Sequence, residues 1–560
     1  MKVKMRILLP ALVLMAVHVQ AARMEPVTVW RGETRTMILH DHVSVGEAPS
    51  GIDVRVGVAE DVRYLDRPFG THYSSFADRV VWGSSDLGVK VLSVSASPDA
   101  KPGVYLCGDV EVTVLDRLLP PASEWKYHLD LWQHPWAVAR WHGVKPFSAA
   151  HYAAMRPLWT MLAGAGQKAL TVTLIDLPWN HQCYDAYHSM VGRIKHADGS
   201  WTFDYSVLDE YVAFGRSCGI GPEIACYTMC PWEYEVRWQD ESGAWQGVKA
   251  VPGSPEFKAY WGAFLTDFER HVREKGWLGD VYVALDERSP EDVVNVANFI
   301  REKAPGLKLS LAGNRSPSQF KGCRIDHCCF GLKRLTDELI AEADDRRSKG
   351  MLTTYYVCCA PDYPNPFCSS EIEEAFWLGA YPAFAGLDGF LRWAWNSWPQ
   401  DPIRDASYTG IKTGWKSGDT YLVYPDGAPS LRFLELRNGI VAAEKVRLLK
   451  EKNLFAEERT KVAALYDAEK AVANACDFKA IVHGHLHLNY FRRSKDRRIE
   501  VVSVAQPQKG VATLQVIHVG ADRKMVAENR YGTGEAWQPV KAEPKGQVWQ
   551  AKVEGIGYFG

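Results

Sequence analysis

The chain has 560 residues, 47% hydrophobic and 24% charged, with 65 Lys and Arg against 67 Asp and Glu. It is too long for one core, which implies several domains, and its balanced charge leaves no electrostatic case for nucleic acid or an anionic membrane surface as partner. The count of 21 Trp is high, and Trp is most useful where a flat apolar surface must also carry a polar edge.

Residues 1–21 read as an export signal. Lys2, Lys4 and Arg6 precede the apolar run Ile7–Val17, and Val19-Gln20-Ala21 supplies a small-residue cleavage site. The apolar run is too short to span a bilayer, so an exported protein, periplasmic or secreted, is expected. Residues 23–120 alternate short strand-like runs, such as Val89–Val94 and Val110–Leu115, with turn clusters such as Pro102-Gly103. That pattern predicts an immunoglobulin-like β-sandwich.

From 121 to 454 strand-like runs alternate with helical ones. The strand candidates are Lys126–Gln133, Leu170–Asp176, Pro222–Tyr227, Val281–Leu285, Leu307–Ala312, Ile325–Phe330, Leu352–Cys358 and Gly389–Trp395. Helices are expected at Ala149–Leu162, Tyr205–Ser217, Pro255–Lys275, Pro290–Lys303, Leu335–Arg346, Glu371–Leu378 and Ser430–Lys450. This is the count and order of an α/β (β/α)8 TIM-like barrel. Helix-to-strand connections are short and carry glycine (Gly219, Gly276, Gly306, Gly350), whereas 177–203, 228–254, 359–370 and 396–428 are long strand-to-helix connections. Loops beyond roughly fifteen residues are usually functional, and here all fall on the C-terminal face, where barrel enzymes keep their chemistry. Residues 455–560 read as an accessory region, helical over Arg459–Ala475 and strand-like at Ile499–Val504 and Ala512–Val519.

Asp286 and Glu287 end the fourth strand candidate, and Ser289-Pro290-Glu291-Asp292 opens the next helix. Two carboxylates held close cannot ionise independently, and the protonated member can act as a general acid. The plainer possibility is that Asp286 caps the helix and Glu287 pairs with Arg288. Aromatic residues crowd the same rim: Trp132 and Trp136 beside the first strand, Trp179 after the second, Tyr227 and Trp232 at the third, Tyr355 and Tyr356 in the seventh, and Trp393, Trp395 and Trp398 at the eighth. Aromatic faces stack on the apolar faces of sugar rings, and Asn180, His181, Tyr184 and Asn396 could hold hydroxyl groups.

The 12 cysteines include the neighbours Cys328-Cys329 and Cys358-Cys359 in apolar runs, which suggests buried free thiols rather than a disulfide framework. His483, His485 and His487 could share a strand face as a metal site, though a solvated polar face is the commoner use of such a pattern.

The stretches "WNHQCYDAYHSMV" (179–191), "CYTMCPW" (226–232), "YVALDERSPE" (282–291) and "GFLRWAWNSWPQDPIRD" (389–405), with "GDTYLVYP" (418–425), resemble glycoside hydrolase family 123 over roughly 120–450. The resemblance implies a retaining exo-β-N-acetylgalactosaminidase acting on glycans with a terminal amino sugar, by substrate-assisted hydrolysis. On that pattern Glu287 is the acid/base and Asp286 orients the acetamido group. Trp132, Trp179, Asn180, His181, Tyr227, Trp232, Tyr356, Trp393, Trp395, Asn396 and Trp398 would bind substrate, and no metal or other cofactor is required. The alternatives are a glycosidase for another β-linked sugar and a non-catalytic glycan-binding protein.

Overall fold

The structure is a computed structural model that describes residues 26–39, 43–83, 88–313, 315–320, 322–408, 414–454 and 456, together with the strand backbone between 486 and 559. Residues 1–21 and the Arg459–Ala475 segment lie outside the described residues, as do the side chains of His483, His485 and His487. The chain forms two compact units, 1–455 and 456–560.

At the amino-terminal end, a three-stranded sheet (Val27–Arg31, Val110–Leu118, Gly103–Cys107) faces a four-stranded one (Thr34–Leu39, Val89–Ala96, Ile52–Leu65, Tyr73–Trp82). Every second side chain enters the shared core, as at Val27 and Val29, Leu92 and Val94, and Val110, Val112 and Val114. The sandwich is fastened to the rest of the unit by a fully buried ion pair. Asp78 accepts from Arg432 at 2.8 Å and from the Tyr424 hydroxyl at 2.7 Å. Both partners of a buried charge are satisfied here, which is the condition for tolerating one.

The barrel strands are β1 (His128–Leu131), β2 (Ala169–Thr173), β3 (Glu223–Tyr227), β4 (Val281–Asp286), β5 (Lys308–Gly313), β6 (His327–Gly331), β7 (Leu352–Tyr356) and β8 (Gly389–Arg392). They form one parallel sheet in the order β1-β8-β7-β6-β5-β4-β3-β2. The β1–β2 edge closes differently, through a single bridge between Leu129 and Gln167. Two glutamine side chains do the work of missing backbone pairs. Gln167 accepts from Leu131 N–H at 3.0 Å and donates to its carbonyl at 3.2 Å, while Gln133 accepts from Thr171 N–H at 2.8 Å. A primary amide carries one acceptor and two donors, so it can stand in for a peptide unit. On the other side of β1, Gly389 lies so close that a Cβ there would come within 1.9 Å of the His128 carbonyl oxygen.

Each predicted strand and helix of the barrel is present, all within a few residues of their expected ends except the helix expected at Glu371–Leu378, which runs from Ile372 to Ala385. Gly276 and Gly350 take positive φ just after their helices, as a glycine stop requires. Two features were not expected. Pro135–His142 is a helix, entered through His134, whose ring accepts the Ala137 N–H. The long loops after β2 and β3 also pair with each other, Gly192–Lys195 and Trp201–Asp204 joining Glu235–Asp240 and Trp245–Lys249 in a four-stranded sheet.

In the second unit, five strands from Leu486–Arg493 to Gln538–Lys541 form an antiparallel sheet, followed by a three-stranded one. Among the described residues no helix is long and apolar enough to cross a membrane.

Candidate active site

The period of two along a strand decides which side chains enter the barrel. On β1 the inward set is His128, Asp130 and, just past the end, Trp132; on β3 it is Glu223, Ala225 and Tyr227. Contacts between non-neighbouring strands fix the assignment: Trp132 and Tyr227 have ring centroids 4.6 Å apart. Asp286, last in β4, belongs to the same C-terminal layer, as does Tyr356 of β7. Tyr355 points the other way and donates at 2.6 Å to the Leu378 carbonyl on the outer helix.

Glu287 has left the strand. Its φ of 48° is positive, an uncommon conformation for a residue with a Cβ, and its N–H still bonds the Ala312 carbonyl at 2.7 Å. The turn breaks strand alternation, so two consecutive carboxylates share one rim. The Tyr356 hydroxyl donates to Glu287 Oε1 at 2.5 Å. Ser289, not Asp286, caps the following helix, accepting from the Asp292 N–H at 3.1 Å. Arg288 folds back, its Nε donating to the Asp286 carbonyl at 3.0 Å and its guanidinium lying 5.4 Å from the centre of the Trp232 ring.

Burial pushes the Asp286 carboxyl up to about 7, and the neighbouring Glu287 charge adds to this. Arg288 and the indole N–H groups of Trp232 and Trp179 pull it the other way. Those indole groups face the carboxyl, but neither they nor the Trp132 N–H completes a hydrogen bond of good geometry. Buried donors of this kind are costly unless something accepts from them. Burial and the Glu287 charge also raise the Tyr356 phenol, which keeps it a donor.

The aromatic wall is continuous. Trp132 stacks on Trp179 at 4.8 Å, and Trp179 lies 5.0 Å from Tyr227. Trp393 donates at 3.1 Å to Asp419, whose carboxylate also pairs with the buried Arg392 at 2.8 Å. Asp419 was not among the expected site residues, although it stands in the "GDTYLVYP" segment. Trp232 is carried by a loop whose N–H reaches the Pro178 carbonyl at 3.2 Å. Asn180 and His181 are exposed on that rim, and Asn180 donates to Glu233 at 3.2 Å. Trp136 is buried in the helix after β1, edge-on to Tyr187 at 5.7 Å.

Three expected sugar contacts are packing residues instead. Trp395 and Trp398 have 0% exposure; the first packs on Phe433 at 4.7 Å, and the second donates to the Val423 carbonyl at 2.6 Å. Asn396, equally buried, spends its amide on the His134 backbone, accepting at 2.8 Å and donating at 3.0 Å. The cysteines also divide unexpectedly: Cys328 and Cys329 are buried, but Cys359 is exposed and Cys358 half-buried, all as free thiols.

A (β/α)8 barrel with a carboxylate pair and an aromatic wall at its C-terminal mouth has the layout of a barrel enzyme, whose chemistry is kept on that face. The model of the glycoside hydrolase 123 catalytic domain matches residues 132–449. The chain therefore belongs to glycoside hydrolase family 123 and is a glycosidase whose substrate is a glycan. Among solved structures, that of a family 123 glycoside hydrolase from Clostridium perfringens, described for glycolipid glycan hydrolysis, is similar, with a TM-score of 0.68 and 23% identity over 79% of this chain and 86% of that one. No curated protein matches the chain.

Proposed function

We propose that the protein removes terminal β-linked N-acetylgalactosamine from glycans with retention, the sugar's own acetamido group serving as nucleophile. The observation that carries the reading is the adjacency of Asp286 and Glu287 at one strand end. A retaining enzyme with a protein nucleophile places its two carboxyl groups on either side of the anomeric centre. Consecutive residues approach from one side, which suits a nucleophile supplied by the substrate.

In the first step the acetamido oxygen bonds to the anomeric carbon as the glycosidic bond breaks, and Glu287 gives its proton to the leaving oxygen. Asp286, as the anion, accepts the acetamido N–H and balances the charge of the oxazolinium ion. Glu287 then takes a proton from water, which opens the ring and restores the configuration. Asp286 is the carboxyl pushed upward, so substrate binding must favour its anion and place the proton on Glu287. A donated N–H favours the anion at Asp286 and leaves the proton with Glu287. The preference for an acetamido sugar and for the galacto epimer rests on the family pattern in "YVALDERSPE" and its companion motifs.

The test is a panel of aryl β-glycosides of N-acetylgalactosamine, N-acetylglucosamine, galactose and glucose, with the thiazoline analogue of the first as inhibitor. Turnover confined to acetamido sugars, with strong thiazoline inhibition, is expected. Equal turnover of galactoside and N-acetylgalactosaminide would point to a protein nucleophile. Binding without turnover of any glycoside would favour the non-catalytic alternative.

A further inference from the structure

The inward sets of β1, β3 and β6 begin with His128, Glu223 and His327, and these three meet inside the barrel at its N-terminal end. His128 Nε2 lies 3.0 Å from one Glu223 oxygen, and His327 Nδ1 lies 3.7 Å from the other. One ligand atom from each residue falls within 4.8 Å of the other two, and the residues are 5%, 5% and 2% exposed in strand order.

Hydrogen bonding among the three leaves polar atoms stranded. Glu223 Oε1 and His128 Nδ1 have no partner, nor has Asp130 Oδ1 one layer higher on β1. Several orphaned polar atoms in one interior are unusual, since buried polar groups are almost always paired. A buried ion pair between His128 and Glu223 accounts for one carboxylate oxygen and leaves the other facing His327.

We propose that His128, Glu223 and His327 bind one divalent transition-metal ion, zinc in the first instance, as a structural centre of the barrel. Zinc takes imidazole nitrogen and carboxylate oxygen at about 2.0–2.2 Å, which puts tetrahedral ligand atoms about 3.3 Å apart. Two of the separations, 3.0 and 3.7 Å, straddle that value, and the third pair lies within 4.8 Å. The orienting contact a metal-bound histidine needs is already made, because the other ring nitrogen of His327 lies 2.8 Å from the Thr354 hydroxyl. The two rings meet edge to face at 4.6 Å, with the carboxylate spanning both.

The site is separate from the chemistry. Trp132 and Tyr227 stand four residues beyond His128 and Glu223 on the same strand faces, about 13 Å at the rise of a β-strand. The N-terminal end of a barrel serves stability rather than catalysis. The ion would join β1, β3 and β6, which are not neighbours in the sheet, across a barrel whose β1–β2 edge relies on glutamine side chains.

The experiment is elemental analysis of the full-length protein, purified without chelator or metal-affinity resin and equilibrated with Zn²⁺. About one tightly held equivalent per chain is expected, lost in Glu223→Gln and in His327→Gln but kept when His483, His485 and His487 are all changed to Gln. Chelation should lower the unfolding temperature of the wild type and leave that of Glu223→Gln unmoved. If the variants fail to fold, X-ray absorption on the zinc-loaded wild type decides, with two imidazoles and a carboxylate oxygen expected. Less than about a tenth of an equivalent, retention of the metal in Glu223→Gln, or sulfur in the coordination shell would each overturn the proposal.

Discussion

Tyr356 and Glu287 meet across the mouth of the barrel, the phenol donating at 2.5 Å to the carboxylate although β5 and β6 separate their strands. The contact fixes the direction of a side chain whose backbone has already left the sheet at a φ of 48°. On the proposed mechanism it therefore positions the acid/base rather than taking part in proton transfer.

Tyr356→Phe should lower kcat/KM by roughly tenfold to a hundredfold, the value of a hydrogen bond of about 1.5–3 kcal/mol to a charged group. The unfolding temperature should stay close to that of the wild type, because the hydroxyl lies at the mouth and the ring is retained. Kinetics with an aryl N-acetylgalactosaminide would measure this, and unchanged kcat/KM would remove Tyr356 from the site.

Asp286→Asn should separate stability from activity. The native carboxyl titrates near about 7, whereas an unfolded Asp titrates near about 3.9. Between those values the native state holds more protons, so stability falls as pH rises through the window, and above it the buried anion is a net cost. A shift of about three units corresponds to at most about 4 kcal/mol, and sharing with Glu287 and partial solvent access reduce that to about 1–3 kcal/mol. The variant should thus unfold at a higher temperature than wild type at pH 8 and at the same temperature at pH 4, while turnover collapses. Calorimetry at both pH values is the check; a variant less stable than wild type at pH 8 would contradict it.

The barrel was readable because its strands are short β-branched runs bounded by glycine and its helices carry caps such as Ser254, Ser289 and Ser430, each accepting from the third N–H onward. The place of the Asp286-Glu287 pair at the barrel mouth was readable for a related reason, since a strand and a capped helix leave almost no loop between them. Strand alternation then failed where it was extended too far. β8 stops at Arg392, so Trp395 and Trp398 no longer belong to a strand face. Phe433 and Val423, neither of them near in the chain, decide their burial. Asp419 was missed because its partner Arg392 is 27 residues away and nothing local marks the pair. The helix Pro135–His142 escaped notice because its cap is a histidine ring, an unusual acceptor for the Ala137 N–H.

Asn396→Ala tests the reassignment of that residue. Its amide makes two buried hydrogen bonds to the His134 backbone at 2.8 and 3.0 Å. Removal leaves a peptide donor and acceptor unsatisfied, a cost of about 2–4 kcal/mol. The unfolding temperature should drop, while KM at a temperature where the variant is folded stays within about twofold of wild type. A large rise in KM with stability intact would return Asn396 to the list of sugar contacts.

The pH dependence of turnover follows from which carboxyl must be charged. kcat/KM reports the free enzyme, and there, on the proposed mechanism, Asp286 has to lose its proton before it can accept the acetamido N–H. With its carboxyl near 7, kcat/KM for an activated aryl substrate, whose leaving group needs no proton from Glu287, should rise with pH to a midpoint close to that value. In the complex the sugar's N–H donates to Asp286 and favours the anion. The rising limb of kcat should accordingly lie at lower pH than that of kcat/KM, and both limbs should vanish in Asp286→Asn, whose residual activity has no such group to ionise. Profiles taken with one activated aryl substrate would show the displacement, and coincident limbs would mean that the acetamido group makes no hydrogen bond to Asp286.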